Sequence, residues 1–81
     1  MTNLEKYTNV FVESFEVSPE EVVNLEYQGI EAWDSVGHMN LITAIEETFD
    51  IMMETDDIIE FSSFEKGKEI LAKEEYGVTF E

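Results

Sequence analysis

No lysine or arginine occurs between Tyr7 and Glu65, and this one-sided charge constrains the fold more than any other feature of the sequence. The chain has 20 Asp and Glu against 4 Lys and Arg, a formal net charge of −16 at pH 7. Because self-repulsion destabilises a compact chain, folding requires a substantial apolar core. Hydrophobic residues make up 43% of the sequence, with six Phe, three Tyr and one Trp, which favours a folded domain over a disordered acidic tail.

The same charge limits the partners of the chain. A strongly negative surface repels nucleic-acid phosphates and anionic membranes, so we expect neither nucleic-acid binding nor membrane insertion. It attracts proteins with basic patches and speeds their encounter. No apolar stretch approaches the ~20 residues needed to cross a bilayer.

The chain has no cysteine, which excludes disulfides, thiolate metal sites and a cysteine nucleophile and fits a reducing compartment. The start of the chain has no basic segment followed by an apolar run, so no secretory signal is expected. We therefore expect a single domain over residues 1–81, cytoplasmic and monomeric.

In the first part of the chain, apolar residues recur at the spacing of a helix. Thr2 and Glu5 form a capping box, and the apolar residues that follow predict a first helix over residues 3–15. A short helical turn is expected at 18–21, with Ser18 as cap and a proline at its first position. Residues 24–33 have no sustained period and are interpreted as a long loop. Its apolar side chains should tuck against the core: Leu25, Tyr27, Ile30 and Trp33.

The rest of the chain predicts three further helices. Asp34 is a good cap for a helix over 35–49, whose two apolar stripes place it between neighbours. Thr55-Asp56-Asp57 should cap a short third helix, and Ser62 with Glu65 should form a capping box for the last one, which Gly77 would close. The predicted fold is all-α: a four-helix bundle with a long first loop and a short third helix.

Catalytic and metal motifs are absent from the sequence. The single histidine, His38, has no second histidine or cysteine as a metal partner, and it is interpreted as an ordinary surface or capping residue. A Ser35/His38 pair has no oxyanion hole to serve it. Calcium loops starting at Asp50 or Asp56 lack the required oxygen and glycine positions, and no glycine-rich phosphate loop exists. We expect neither an enzyme nor a metal site.

The segment Asp34-Ser35-Val36 is a candidate modification site. A serine at the first position of a helix exposes its hydroxyl, and the free backbone N–H groups there favour an attached anion by roughly 0.3–1 kcal/mol. Asp34 could hold a magnesium ion that neutralises the pyrophosphate of an incoming donor. The alternative is that Asp-Ser-apolar is simply a common helix start.

The wider stretch from Ala32 to Asp50 resembles the acyl carrier protein family. The resemblance rests on Asp34-Ser35-Val36 at the start of a helix, on the apolar stripe that follows, and on Glu46-Glu47 before Phe49. It implies that a phosphopantetheinyl transferase moves 4′-phosphopantetheine from coenzyme A onto Ser35, with Asp34 assisting. The thiol of that arm would then hold an acyl group as a thioester and pass it between enzymes of a fatty-acid, polyketide or lipid- or polysaccharide-modifying pathway.

The resemblance also implies two surfaces. A docking face for acyl-loading and acyl-accepting enzymes with basic patches would comprise Val36, Glu46, Glu47, Asp50, Asp56, Asp57 and Glu60. A groove for the acyl chain would be lined by Met39, Ile42, Ile45, Ile58 and Ile59. Each of these residues is also interpreted as plain core, and the two interpretations are compatible because a groove can open within a soft core.

Some residues depart from the family pattern. Val36 replaces the more common leucine, Gly37 should loosen the first helical turn, and Asn40 stands where many fatty-acid carriers have an acid. Two alternatives therefore stay open. One is a peptidyl or aminoacyl carrier, which would share Ser35 and the fold; the other is an acidic helical interaction module that is never modified.

Overall fold

The computed structural model describes residues 2–80 and has five helices in this part of the chain. They are α1 (Asn3–Phe15), α2 (Pro19–Val22), α3 (Ser35–Phe49), α4 (Thr55–Glu60) and α5 (Phe64–Leu71). The described residues contain no strand, only an isolated antiparallel bridge between Glu26 and Ser63. The all-α prediction is confirmed, as are the predicted ranges of the first helix and of α3. None of the helices within residues 2–80 is long and apolar enough to span a bilayer.

Two of the predicted helix starts are wrong by one residue. The cap of α5 is Ser63, whose Oγ accepts a 3.0 Å hydrogen bond from Lys66 N, and not Ser62. Ser62 serves the long loop instead, since its carbonyl oxygen accepts from Tyr27 N at 2.8 Å. The cap of α4 is Glu54, which makes no side-chain capping bond, and Thr55 is already helical. The Thr2 capping box is confirmed.

Aromatic side chains fill the core. The ring centroid of Phe11 in α1 lies 5.6 Å from that of Trp33 and 5.2 Å from that of Phe64. Both pairs are edge-to-face, an arrangement that aromatic pairs favour. The buried Tyr7 hydroxyl donates to the carbonyl oxygen of Phe64 at 2.6 Å, so its polar atom is satisfied. At Gly67 a Cβ atom would lie 2.2 Å from Tyr7 Oη, so α5 can approach α1 this closely only with glycine there. These contacts join α1 to α5 and to the end of the long loop at Trp33.

The loop between α2 and α3 is fixed by backbone hydrogen bonds to the start of α5. Tyr27 N donates to Ser62 O, and Phe64 N donates to Leu25 O at 3.2 Å. Leu25 and Trp33 are buried, as predicted, and Ile30 is half-buried. Tyr27 packs against the buried Trp33, with ring centroids 6.5 Å apart, but 36% of its surface is exposed, so it is less buried than expected.

An ion pair between the exposed Lys73 and the buried Asp57 joins α4 to the turn after α5. Lys73 Nζ donates to Asp57 Oδ1 at 2.6 Å, and Tyr76 Oη donates to Asp57 Oδ2 at 2.5 Å. These bonds hold the Asp57 carboxylate of α4 against the turn that follows α5, at residues 72–76. The helix itself ends at Leu71, and Gly77 closes the additional turn with φ +64°, a conformation that glycine adopts without strain.

Candidate functional site

Ser35 is the first residue of α3, and its neighbour Asp34 fixes the start of the helix. Asp34 Oδ1 accepts a hydrogen bond from Gly37 N at 2.8 Å, and Asp34 O accepts from His38 N at 2.8 Å. The predicted cap is confirmed. Ser35 is exposed, so its hydroxyl is accessible on the surface. One carboxylate oxygen of Asp34, Oδ1, is thus engaged by the helix backbone.

Gly37 is a steric requirement of this site and not a weakness. A Cβ atom at this position would lie 2.0 Å from the carbonyl oxygen of Ala32. The backbone before Asp34 therefore crosses the first turn of α3 in direct contact, which only glycine permits. The expectation that Gly37 loosens the turn rested on helix propensity alone and did not include this contact.

Tyr27 is the one side chain of the long loop that reaches Ser35. Its Oη and Ser35 Oγ lie 3.3 Å apart and share a hydrogen bond in which either hydroxyl can donate. Sequence reasoning missed this residue as part of the site. The signal was weak: an aromatic residue in a loop is usually core, and the pairing depends on the loop's attachment to Ser62.

An apolar groove opens beside Ser35. It has a volume of about 360 Å³ and runs between α3, α4 and the residues on either side of them. Its lining residues are Tyr27, Ser35, His38, Met39, Ile58, Ile59, Phe61 and Ser62. The polar hydroxyls of Tyr27, Ser35 and Ser62 thus adjoin a surface suited to a hydrocarbon chain.

The expected groove residues divide into two groups. Met39, Ile58 and Ile59 line the groove, and Met39 and Ile59 are 50% and 72% exposed. Ile42 and Ile45 do not line it in this structure and belong to the core, the alternative interpretation given for them. They are 1% and 0% exposed, because the same stripe of α3 passes into the closed core after Met39. The groove is therefore shorter along α3 than the sequence predicted.

His38 forms part of the back of the groove and is not the surface or capping histidine that was expected. Trp33 Nε1 donates to His38 Nδ1 at 2.9 Å, and because an indole nitrogen can only donate, Nδ1 is the acceptor. The ring therefore carries its proton on Nε2, which donates to the carbonyl oxygen of Ile58 at 2.8 Å. With both nitrogens engaged, His38 has no free nitrogen to activate Ser35.

The expected docking residues are not equally available. Val36, next to Ser35, is 70% exposed. Four of the acidic residues are exposed as expected: Glu47, Asp50, Asp56 and Glu60. Glu46 is half-buried, and its Oε2 accepts from Met53 N at 2.9 Å, which fixes the turn after α3.

Among these acids, Asp57 is the one for which the expected docking role is wrong. It is only 4% exposed, because its side chain points inward to Lys73 and Tyr76. The hydrogen bond from Lys73, and then that from Tyr76, lowers the pKa of Asp57 below its usual value. Carboxylate oxygens of Glu54, Asp57 and Glu75 lie within 4.8 Å of one another, but both oxygens of Asp57 already accept hydrogen bonds.

Comparisons of the chain with protein-family models, with curated proteins and with solved structures found no match.

Proposed function

We propose that this chain is an acyl carrier that bears 4′-phosphopantetheine on Ser35. The observation that supports it best is the exposed Ser35 hydroxyl at the start of α3, opening directly onto an apolar groove. A plain helix start explains the serine but not the groove beside it. The resemblance of Ala32–Asp50 to acyl carriers agrees with this proposal.

The residues around Ser35 fit such an arm. The hydroxyl is accessible to a modifying enzyme, and neutral hydroxyl groups of Tyr27 and Ser62 adjoin it on the groove. When attached, phosphopantetheine supplies a terminal thiol that holds an acyl group as a thioester. The groove residues Met39, Ile58 and Phe61 give an apolar surface that shelters a hydrocarbon chain from water.

In the attachment reaction, Ser35 Oγ is the nucleophile. It loses its proton to a base of the transferase and forms a bond to the phosphorus that carries pantetheine in coenzyme A. The bond from that phosphorus to the bridging oxygen of the pyrophosphate breaks, and 3′,5′-ADP leaves with both electrons of that bond. Both nitrogens of His38 are engaged, so the base would come from the transferase. The charge-neutralising groups would come from the transferase and its metal, with Asp34 adjacent to Ser35 in sequence.

The partner enzymes are recognised by charge and by one apolar contact. Exposed acids on α3 and α4 steer a basic surface towards Ser35, and Val36 offers an exposed apolar side chain at the point of contact. Asp57 takes no part in this recognition, because it is buried in the ion pair with Lys73.

Intact mass spectrometry tests the proposal. Wild type, Ser35→Ala and Ser62→Ala are incubated with coenzyme A, magnesium and a permissive phosphopantetheinyl transferase. Ser62 is a matched control, since it is an exposed serine on the same groove. We expect one added phosphopantetheine on wild type and on Ser62→Ala, and none on Ser35→Ala.

No mass gain on wild type, with the transferase active on another carrier, would favour an unmodified acidic interaction module. If modification occurs, a competition between fatty-acyl and aminoacyl loading enzymes identifies the cargo class. The apolar lining of the groove favours acyl loading, and preferential aminoacyl loading would make the chain a peptidyl or aminoacyl carrier.

A further inference from the structure

We propose that Tyr27 is a positioning residue for the arm: its hydroxyl donates a hydrogen bond to the phosphodiester on Ser35 and holds it at the mouth of the groove. This inference rests on the proposed function. Tyr27 Oη and Ser35 Oγ lie 3.3 Å apart, and this contact links the long loop to the first turn of α3.

The position of the Tyr27 ring is fixed from two sides. Its backbone N donates to Ser62 O at 2.8 Å, which anchors the loop to the residues before α5. Its ring packs edge-to-face on His38, with centroids 5.4 Å apart, and on Trp33 at 6.5 Å. His38 and Trp33 are themselves joined by a hydrogen bond. The phenol hydroxyl is thus held on a rigid support beside Ser35 although much of the ring is exposed.

Modification of Ser35 fixes the direction of the hydrogen bond. In the unmodified chain either hydroxyl can donate. Esterification replaces the serine proton by phosphorus, and a phosphodiester has only acceptor oxygens. Tyr27 then becomes the only possible donor of the pair, and a hydrogen bond to an anion is stronger than one between two neutral hydroxyls.

The charge of the surroundings explains why a neutral donor is needed. The sequence has no lysine or arginine between Tyr7 and Glu65, so no cation adjoins Ser35 along the chain. The carboxylate of Asp34 is next to it in sequence and repels a second anion. A tyrosine hydroxyl is neutral, so it can stabilise the phosphodiester and leave the exposed acidic residues available to partner enzymes.

The test is ³¹P NMR of the modified protein, prepared as wild type, Tyr27→Phe and Tyr76→Phe. Tyr27→Phe keeps the aromatic packing on His38 and Trp33 and removes only the hydroxyl. Tyr76→Phe is the matched control, because it removes a phenol hydroxyl that bonds Asp57 and not Ser35. Modified wild type in urea gives the resonance of an unconstrained phosphodiester.

We expect the folded wild-type resonance to be displaced from the urea value, Tyr27→Phe to move it back towards that value, and Tyr76→Phe to leave it unchanged. A Tyr27→Phe resonance equal to wild type, or equal shifts in both variants, would overturn the role of Tyr27 while leaving the carrier function intact. Absence of any covalently attached phosphorus on wild type would overturn the proposed function, and this inference with it.

A second measurement needs no variant and decides the question if Tyr27→Phe does not fold. In the modified wild type, nuclear Overhauser contacts are expected between the ring hydrogens of Tyr27 and the methylene group next to the phosphate. Their absence, with contacts between Tyr27 and His38 present, would show a folded ring that does not meet the arm.

Discussion

The indole N–H of Trp33 donates to Nδ1 of His38 at 2.9 Å, and Nε2 of that histidine donates to the carbonyl oxygen of Ile58 at 2.8 Å. The imidazole ring of His38 thus joins three parts of the chain: the end of the long loop, the first turn of α3 and the middle of α4. The two ring nitrogens therefore have a structural role at the back of the groove, directly behind the contact of Tyr27 with Ser35.

We expect His38→Ala to lower the free energy of unfolding by about 1–3 kcal/mol, because Trp33 is fully buried and its N–H would lose its partner. Urea unfolding followed by tryptophan fluorescence measures this. The control is Asn40→Ala, an exposed change in the same helix, which should stay within about 0.5 kcal/mol of wild type. Equal stability of His38→Ala and Asn40→Ala would show that the Trp33 bond contributes nothing.

Asparagine substitutions at the neighbouring residues Asp57 and Asp56 should affect the stability of the fold differently. Asp57→Asn removes the charge that Lys73 and Tyr76 bind, and we expect it to cost about 1–3 kcal/mol of stability. Asp56→Asn, at an exposed position, should be neutral or slightly stabilising because it relieves repulsion. Thermal or urea unfolding of the two variants compares them. A larger loss for Asp56→Asn would contradict the structural assignment of Asp57.

The contribution of Asp57 should disappear in acid. Its pKa is lowered from the usual 3.8 in the folded chain, so it stabilises the fold above that pH and ceases to do so as pH falls through the lowered value. Protonation of the other carboxylates relieves repulsion in both proteins, so the informative quantity is the stability of wild type minus that of Asp57→Asn. We expect this difference to be constant near neutral pH and to shrink below 3.8. A difference that grows on acidification would contradict the direction of the pKa shift.

Gly37→Ala tests the close crossing at the start of α3. Helix propensity alone predicts a gain of about 1 kcal/mol for this change in a helix interior. The contact of a Cβ atom with Ala32 O, at 2.0 Å, predicts a net loss instead, because backbone must move. Urea unfolding measures the sign, and Thr43→Ala at an exposed position of α3 is the control. A stabilised Gly37→Ala would disprove the crossing.

Divalent cations should raise the melting temperature. The net charge of −16 includes a dense acidic segment from Glu46 to Asp57, and counter-ions reduce its self-repulsion. Thermal scans in chelator, in millimolar magnesium chloride and in sodium chloride of equal ionic strength separate screening from specific binding. No difference between chelator and either salt would show that repulsion in this segment has little effect on the folded state.

The features that sequence predicted correctly depend on short-range patterns. The ranges of α1 and α3 follow from apolar spacing within each helix, and the caps at Thr2 and Asp34 depend on residues three positions away. Ser35 was found for the same reason, since its exposure follows from its position at the start of a helix.

The features that could not be predicted from the sequence depend on contacts between distant segments. Asp57 looks like any acid of a short helix until Lys73 and Tyr76 fold over it. Ser63 and not Ser62 caps α5, and the carbonyl oxygen of Ser62 pairs with the long loop. Tyr27 meets Ser35 through the same pairing, and no local pattern of charge or apolar spacing encodes it.

That pairing has a consequence for the order of folding. The carbonyl oxygen of Leu25 and the backbone N of Tyr27 pair with Phe64 N and Ser62 O, far along the chain. Long-range contacts of this kind form late because loop closure must come first. During synthesis, α3 leaves the ribosome before those partners exist. A nascent chain therefore displays Ser35 without its finished surroundings. Under the proposed function, a transferase that recognises the groove as well as the serine would act only after translation has passed α5.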